Sequence, residues 1–151
     1  MTNIEEVRRR IKEAEECLRR AERNIALKDH VVVVQNSQLT IELCAKSIIS
    51  YFEEPIWSHN PSDQLLKVIK RLKTKTTGKA DLFYKEINEL AKYVKEAAPW
   101  HAWSTYSRET EKGWQSTSEL CTEIIAKELL FKANKSYEIT KKVISLFGIK
   151  D

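Results

Sequence analysis

Apolar residues recur at intervals of three and four along most of this chain, which is the spacing of one face of an α-helix. The first stripe predicts a long helix of about six turns. It consists of Ile4, Val7, Ile11, Ala14, Leu18, Ala21 and Ile25. A turn at residues 28–30 follows, with Asp29 as a candidate N-cap for a second helix that ends near Phe52. Valines 31–34 alone would favour a strand, but the longer helical period that continues to Phe52 favours a helix.

Three further helices are predicted after Pro55, which ends the second. The third is short and follows Asn60, a candidate N-cap, and the fourth begins near Ala80, after the connection 73–79, and ends at Pro99. Residues 100–116 lack a period, so we expect a loop there, although the tryptophans within it suggest a contact surface. The last helix is expected to start at a cap on Ser116 or Thr117 and to run to Phe147. The pattern predicts an all-α fold, an antiparallel up-and-down bundle of four to five helices in a single domain over 1–151.

The composition favours a helical protein without a membrane span. Three glycines and three prolines in 151 residues, with 32% charged residues, are typical of long helices with short connections. The chain has no run of 18 apolar residues, and its start, MTNIEEVRRR, is charged where a signal peptide is apolar, so we expect a cytoplasmic protein without a membrane span. The three cysteines are far apart without a C-x-x-C pair, and we expect buried free thiols.

A local basic cluster surrounds the third helix. It consists of Lys67, Lys70, Arg71, Lys73, Lys75 and Lys79. Such a cluster could contact phosphate, but a solvated helix face is the more common explanation.

Four polar residues interrupt the apolar second helix at helical spacing: Gln35, Gln38, Glu42 and Lys46. They share one ridge of the helix, and Glu42 precedes Lys46 by four residues, the order that favours an ion pair. A structural ion pair is one interpretation of the ridge, and a polar groove for a nucleotide is the other. The chain has no glycine-rich loop that would cradle a phosphate, which favours the structural interpretation.

This segment resembles the HEPN family of small helical domains, in which Gln, Glu and Lys at four-residue spacing precede a turn, a His and a Leu-Leu pair. The matching residues are Gln38, Glu42, Lys46, His59, Leu65 and Leu66. A second patch, Tyr106 to Glu109, also agrees, although this chain has Ser-Arg-Glu where family members often carry Ala-Arg-Tyr. The resemblance covers roughly residues 5 to 147.

The resemblance implies a function as well as a fold. It implies a homodimeric binding protein that partners a minimal nucleotidyltransferase in a toxin–antitoxin-like module, possible binding of a nucleotide or RNA, and no membrane partner. The apolar stripe of the first helix and the tryptophan segment would then be its contact surfaces. Our candidate nucleotide-binding residues are Gln38, Glu42, Lys46, His59 and Arg108.

Many HEPN proteins cleave RNA with an Arg and a His that have four to six residues between them. Here that spacing occurs only in Arg23 and His30, at the end of the first helix and not at the family position, so we assign no catalytic residue. The alternative function is a ribonuclease with a non-standard site that uses Arg108 with His59 or His101. The sequence has no hydrolase triad and no metal-ligand spacing, and we expect neither a metal nor a cofactor.

Overall fold

The computed structural model describes residues 3–75 and 79–149, and the side chains within them apart from 72–82. Five helices have 14 or more residues: α1 (Asn3–Ala26), α2 (His30–Phe52), α3 (Ser62–Lys75), α4 (Lys79–Ala97) and α7 (Glu123–Leu146). Two short helices, α5 (Trp100–Tyr106) and α6 (Thr117–Leu120), flank a hairpin of β1 (Arg108–Thr110) and β2 (Gly113–Gln115). The predicted all-α class is confirmed. Residues 76–78 of the predicted connection, and the side chains of Lys73, Lys75 and Lys79 in the basic cluster, lie outside the described part.

Helices α1 and α2 form an antiparallel pair. The Asp29 side chain caps α2 by accepting a hydrogen bond from the Val32 backbone N–H, as predicted. Further along, Ser47 Oγ donates to the Val7 carbonyl at 3.0 Å. Thr40 Oγ1 lies 3.4 Å from the carbonyl of Ala14. Residues earlier in α1 therefore contact residues later in α2, which makes the two helices antiparallel.

The apolar stripe of α1 is not a free surface, so our prediction that it serves as a contact surface is wrong. Val7, Ala14, Leu18 and Ala21 are buried, and they pack with the apolar positions of α2. Burial of this stripe removes apolar area from water and holds the two helices together. Only Ile4, Ile11 and Ile25 of the stripe keep some contact with solvent.

Helix α7 closes the bundle. The rings of Tyr51 at the end of α2 and Phe147 after α7 stack at 4.0 Å, so the two helices end at the same side of the bundle. Lys132 pairs with Glu96 at 2.7 Å and Lys142 with Glu86 at 3.4 Å, which orients α7 antiparallel to α4. None of the described helices combines the length and the hydrophobicity needed to cross a bilayer.

The segment 100–116 is not the loop that we expected. Pro99 precedes α5, where Trp100 and Trp103 are one turn apart and meet edge to face at 5.1 Å. After α5 the chain forms the hairpin, with Glu109 opposite Trp114 and a positive φ of 93° at Gly113, which suits glycine. A helix of seven residues and strands of three are too short to show a period in the sequence, which explains the error.

The last helix is interrupted where we predicted continuity. Ser116 is the predicted cap and forms a capping box with Glu119, but that helix, α6, ends at Leu120. The side chain of Thr122 then caps α7 by accepting a hydrogen bond from the Ile125 N–H. Between them Cys121 leaves the helical conformation and is buried. The hydroxyl of Thr122 offers the backbone an alternative partner, which allows a new helix to start.

Candidate functional site

The polar ridge of α2 lies mostly inside the protein. Gln38 is 2% exposed and Glu42 is 5% exposed, and Gln38 Nε2 donates to Glu42 Oε1 at 3.1 Å. The ammonium group of Lys46 donates to Glu42 Oε2 at 3.1 Å, which confirms the predicted ion pair. Gln35 faces a different neighbour, the Ser104 carbonyl at the end of α5, at 3.0 Å. A buried carboxylate requires such partners, because an isolated charge in the interior is costly.

His59 completes this arrangement from the loop between α2 and α3. Its Nδ1 lies 2.8 Å from Glu42 Oε1, so Glu42 contacts an amide, an ammonium group and an imidazole at once. We call these four residues, Gln38, Glu42, Lys46 and His59, the Glu42 cluster. Four of the five predicted nucleotide-binding residues are therefore in contact.

The loop 53–61 is held in place by side-chain hydrogen bonds to its backbone. Gln64 Oε1 accepts from the Ile56 N–H at 2.9 Å, and Gln64 Nε2 donates to the Glu54 carbonyl at 2.9 Å. The Asn60 side chain accepts a hydrogen bond from the N–H of Ser62, the first residue of α3. It therefore acts at the start of the helix that we predicted it to cap. These contacts order the loop and place His59 beside α2.

His101 on α5 stacks on His59. The two imidazole centroids are 3.5 Å apart and the ring planes differ by 19°. Burial lowers the pKa of His101, the neighbouring His59 lowers it further, and Glu42 opposes them. Protonation of His101 is therefore disfavoured, and the stacked pair connects α5 to the Glu42 cluster.

A pocket of about 330 Å³ opens beside the Glu42 cluster, between α1, α2 and the loop. It is lined by Arg10, Lys46, Glu54, Pro55, Ile56, Trp57, Ser58 and His59. The Trp57 side chain is fully exposed at its edge. Arg10 reaches it from α1, where its guanidinium pairs with Glu6 and donates to Ser50 Oγ at 3.0 Å.

Arg10 and Trp57 were not among the residues predicted from the sequence. Arg10 lies between Val7 and Ala14 on the side of α1 that faces α2. The sequence signal that could have indicated it is a cation at the border of an apolar stripe. Trp57 was visible as a large aromatic residue in a turn. Neither signal indicates by itself that the two side chains border the same pocket.

Arg108, the fifth predicted residue, does not join the Glu42 cluster. Its guanidinium lies over the Trp103 ring, 4.1 Å from the centroid, which is the aromatic stacking that its neighbours suggested. Trp103 and His101 are both on α5, so that helix connects Arg108 to the cluster. Tyr106 and Trp114 nearby are exposed.

The site offers donors and aromatic surface rather than metal ligands. Among the residues that the structure describes, no three His, Cys, Asp or Glu side chains are grouped so that they could hold a metal ion. The three cysteines are free and buried, as we expected, and burial raises the pKa of the Cys44 thiol to about 12 and that of Cys121 to about 11. These thiols are therefore poor nucleophiles at neutral pH.

Comparison with known proteins gives one match. The family model of the HEPN domain matches residues 7–116, which run from the second turn of α1 to the residue after β2 and include every residue of the pocket and of the Glu42 cluster. No curated protein and no solved structure matches the chain significantly. Since the matched range is well over half of the 151 residues, this chain belongs to the HEPN domain family.

Proposed function

We propose that this HEPN domain is a nucleotide-binding module whose ligand occupies the pocket between α1, α2 and the loop 53–61. The observation that carries the proposal is the position of Lys46. Glu42 holds its ammonium group at the pocket, which Arg10 and the exposed Trp57 also line. Small-ligand sites are concave and combine a few fixed polar groups with apolar or aromatic surface. The pocket has both, and its volume of about 330 Å³ suits a nucleotide.

The two cations suit the phosphate of the ligand. An ammonium group has three donors and Glu42 takes one from Lys46, while the guanidinium of Arg10 has five donors in a planar fork. The Glu54 carboxylate lies 3.9 Å from Arg10 and is largely exposed, so it competes with a phosphate but can rotate away. No glycine-rich loop is needed, since side chains supply the charge.

Trp57 suits the base. An indole that is fully exposed beside a polar pocket gives a flat surface on which any base can stack, and such stacking contributes about 1–3 kcal/mol per base. His59, which stacks on His101, lines the same pocket and offers a ring nitrogen for a hydrogen bond.

Isothermal titration calorimetry with AMP and with ATP tests the proposal. We expect Lys46→Ala and Trp57→Ala each to weaken binding about fivefold or more, because a charge-assisted hydrogen bond or a stacked base contributes at least about 1 kcal/mol. We expect Glu54→Gln to tighten binding, because it removes the competing carboxylate.

Matched controls are available on other surfaces. Trp114→Ala removes another exposed tryptophan, and Lys135→Ala removes a lysine of α7 that lies outside the pocket lining. Both should bind as the wild type does. The absence of heat with either nucleotide, or equal affinities in Trp57→Ala and Trp114→Ala, would contradict the proposal.

We propose further that the domain acts as a homodimer and as the partner of a minimal nucleotidyltransferase in a toxin–antitoxin-like module. This follows the family resemblance, and the exposed Trp114 in the hairpin and Tyr106 just before it support the proposal as apolar surface for contact. Light scattering and co-expression with a nucleotidyltransferase encoded nearby test it. A monomer that binds no such partner would contradict it.

Ribonuclease activity is the alternative function, and the contact between His59 and His101 is the observation in its favour. The stacking of Arg108 on Trp103 disfavours it, because that contact occupies the guanidinium. Digestion of RNA by the wild type, with loss of cleavage in both His59→Ala and Arg108→Ala, would reverse our ranking.

A further inference from the structure

A second cavity lies along α1 and α7, outside the pocket just described. It is a groove of about 620 Å³, lined by Arg8, Ile11, Lys12, Glu15, Tyr137, Lys141, Ile144 and Ile149. None of these residues lines the pocket at Lys46. We call this cavity the α1–α7 groove.

The α1–α7 groove has an apolar floor. Ile144 and Ile149 belong to a small hydrophobic cluster with Val7, and they are nearly buried. Ile11 and Tyr137 are half-buried and form the walls. An apolar side chain that entered the groove would remove these walls from water, which is favourable at about 25 cal/mol per Å².

Its rim is positively charged. Arg8 and Lys12 rise from one face of α1, and Lys141 lies on α7. Within residues 3–75 and 79–149, no carboxylate forms an ion pair with Arg8 or Lys12. The one acidic residue of the lining, Glu15, lies 3.8 Å from Arg19, which offsets its charge. An occupant with acidic groups at its edges would therefore complement the rim.

We infer that the α1–α7 groove is a docking site for an amphipathic helix of a partner protein, with apolar residues on one face and acidic residues beside them. The lining residues Arg8 to Glu15 extend about 10 Å along α1, or two turns, since each residue rises about 1.5 Å. This length accommodates anchors at positions i, i+3 or i+4, and i+7 of a docked helix. The inference does not depend on the nucleotide pocket, because the two cavities share no lining residue.

Selection from a displayed library tests the inference. The probe is a set of amphipathic helical peptides whose flanking positions are Glu, Gln or Lys, screened against the full chain. We expect enrichment of peptides with Glu at the flanks, and we then measure each enriched peptide by fluorescence anisotropy.

Charge reversal on α1 provides the decisive comparison. Arg8→Glu with Lys12→Glu should weaken binding of the enriched peptides about tenfold or more, because like charges then face each other across the contact. Lys127→Glu with Lys135→Glu changes the net charge equally on exposed positions of α7 outside the groove, and should change the affinity less than twofold. Circular dichroism should give the wild-type spectrum for both double variants.

Any of three results with the peptides and the charge variants would overturn the inference. One is the absence of any enriched peptide, another is equal enrichment of Lys-flanked and Glu-flanked peptides, and the third is an affinity that Arg8→Glu with Lys12→Glu leaves unchanged. Tyr137→Ala adds an uncharged comparison, since it removes a wall of the groove without changing its charge. Binding that tolerates Tyr137→Ala would also count against a docked apolar face.

Discussion

Glu42 Oε1 lies 2.8 Å from His59 Nδ1, which connects a buried carboxylate in the middle of α2 to a half-exposed imidazole in the loop before α3. The two residues are 17 positions apart in the sequence. Glu42 also accepts from Gln38 and Lys46, so its carboxylate joins helix and loop into one polar unit. The stability of the pocket region should therefore depend on that carboxylate.

Glu42→Gln should destabilise the protein. The substitution preserves the shape of the side chain but removes the charge that compensates the partly buried ammonium group of Lys46. Since the loss of one partner of a fully buried ion pair costs about 3–5 kcal/mol, and Lys46 keeps some contact with water, we expect a loss of about 1–3 kcal/mol. Urea denaturation measures this free energy of unfolding.

The matched control is Glu13→Gln on α1, whose side chain is 53% exposed and lies 3.6 Å from Arg9. Its free energy of unfolding should stay within about 0.5 kcal/mol of the wild type. If both substitutions changed stability equally, the network around Glu42 would not stabilise the fold as we argue.

The titration of His101 should report its contact with His59. Burial and the neighbouring His59 lower its pKa below the ordinary 6.5, so the protonation of His101 is less favourable in the folded protein than in the unfolded chain. The stability that this group contributes is present above 6.5 and is lost as the pH falls through its lowered pKa. NMR titration of the His101 ring should give a midpoint below 6.5, and His59→Ala should raise it. A midpoint that His59→Ala leaves in place would refute the coupling.

Cys44 should be unreactive in the folded protein and should limit stability at alkaline pH. Burial raises its pKa from 9.0 to about 12, so its contribution to stability is complete below 9 and is lost as the pH rises towards 12. A thiol reagent should label no cysteine among Cys17, Cys44 and Cys121 before unfolding and all three afterwards. Melting temperatures should fall less steeply with rising alkalinity in Cys44→Ala than in the wild type, and parallel curves would argue against this origin.

Thr122→Ala should weaken the start of α7. The Thr122 hydroxyl accepts a hydrogen bond from the Ile125 N–H, and the loss of such a cap costs about 1 kcal/mol. Thr117→Ala makes the same chemical change at the first residue of α6, where Ser116 supplies the cap, and should cost less. Chemical denaturation compares the two variants, and equal effects would indicate that α6 and α7 do not start at separate caps.

The long helices could be predicted because their information is local. The periodic stripe of α1 and the cap at Asp29 can be recognised from residues that are close in the sequence. The structure has α1 along that stripe and starts α2 directly after Asp29. The short elements could not be predicted in this way. Helix α5 and the hairpin have too few residues to form a pattern, and their stability comes from contacts such as the Gln35 side chain on the Ser104 carbonyl.

The sequence by itself determined the all-α class, the family resemblance and the partnership of Gln38, Glu42 and Lys46, because residues three and four apart on a helix must lie on one face. Only the tertiary structure decided which distant groups join them. It brings His59 and His101 together from two segments, adds Arg10 from α1 and directs Arg108 onto Trp103 instead. Contacts of this kind depend on how helices pack and where loops return, and the side-chain pattern of a single element does not specify that geometry.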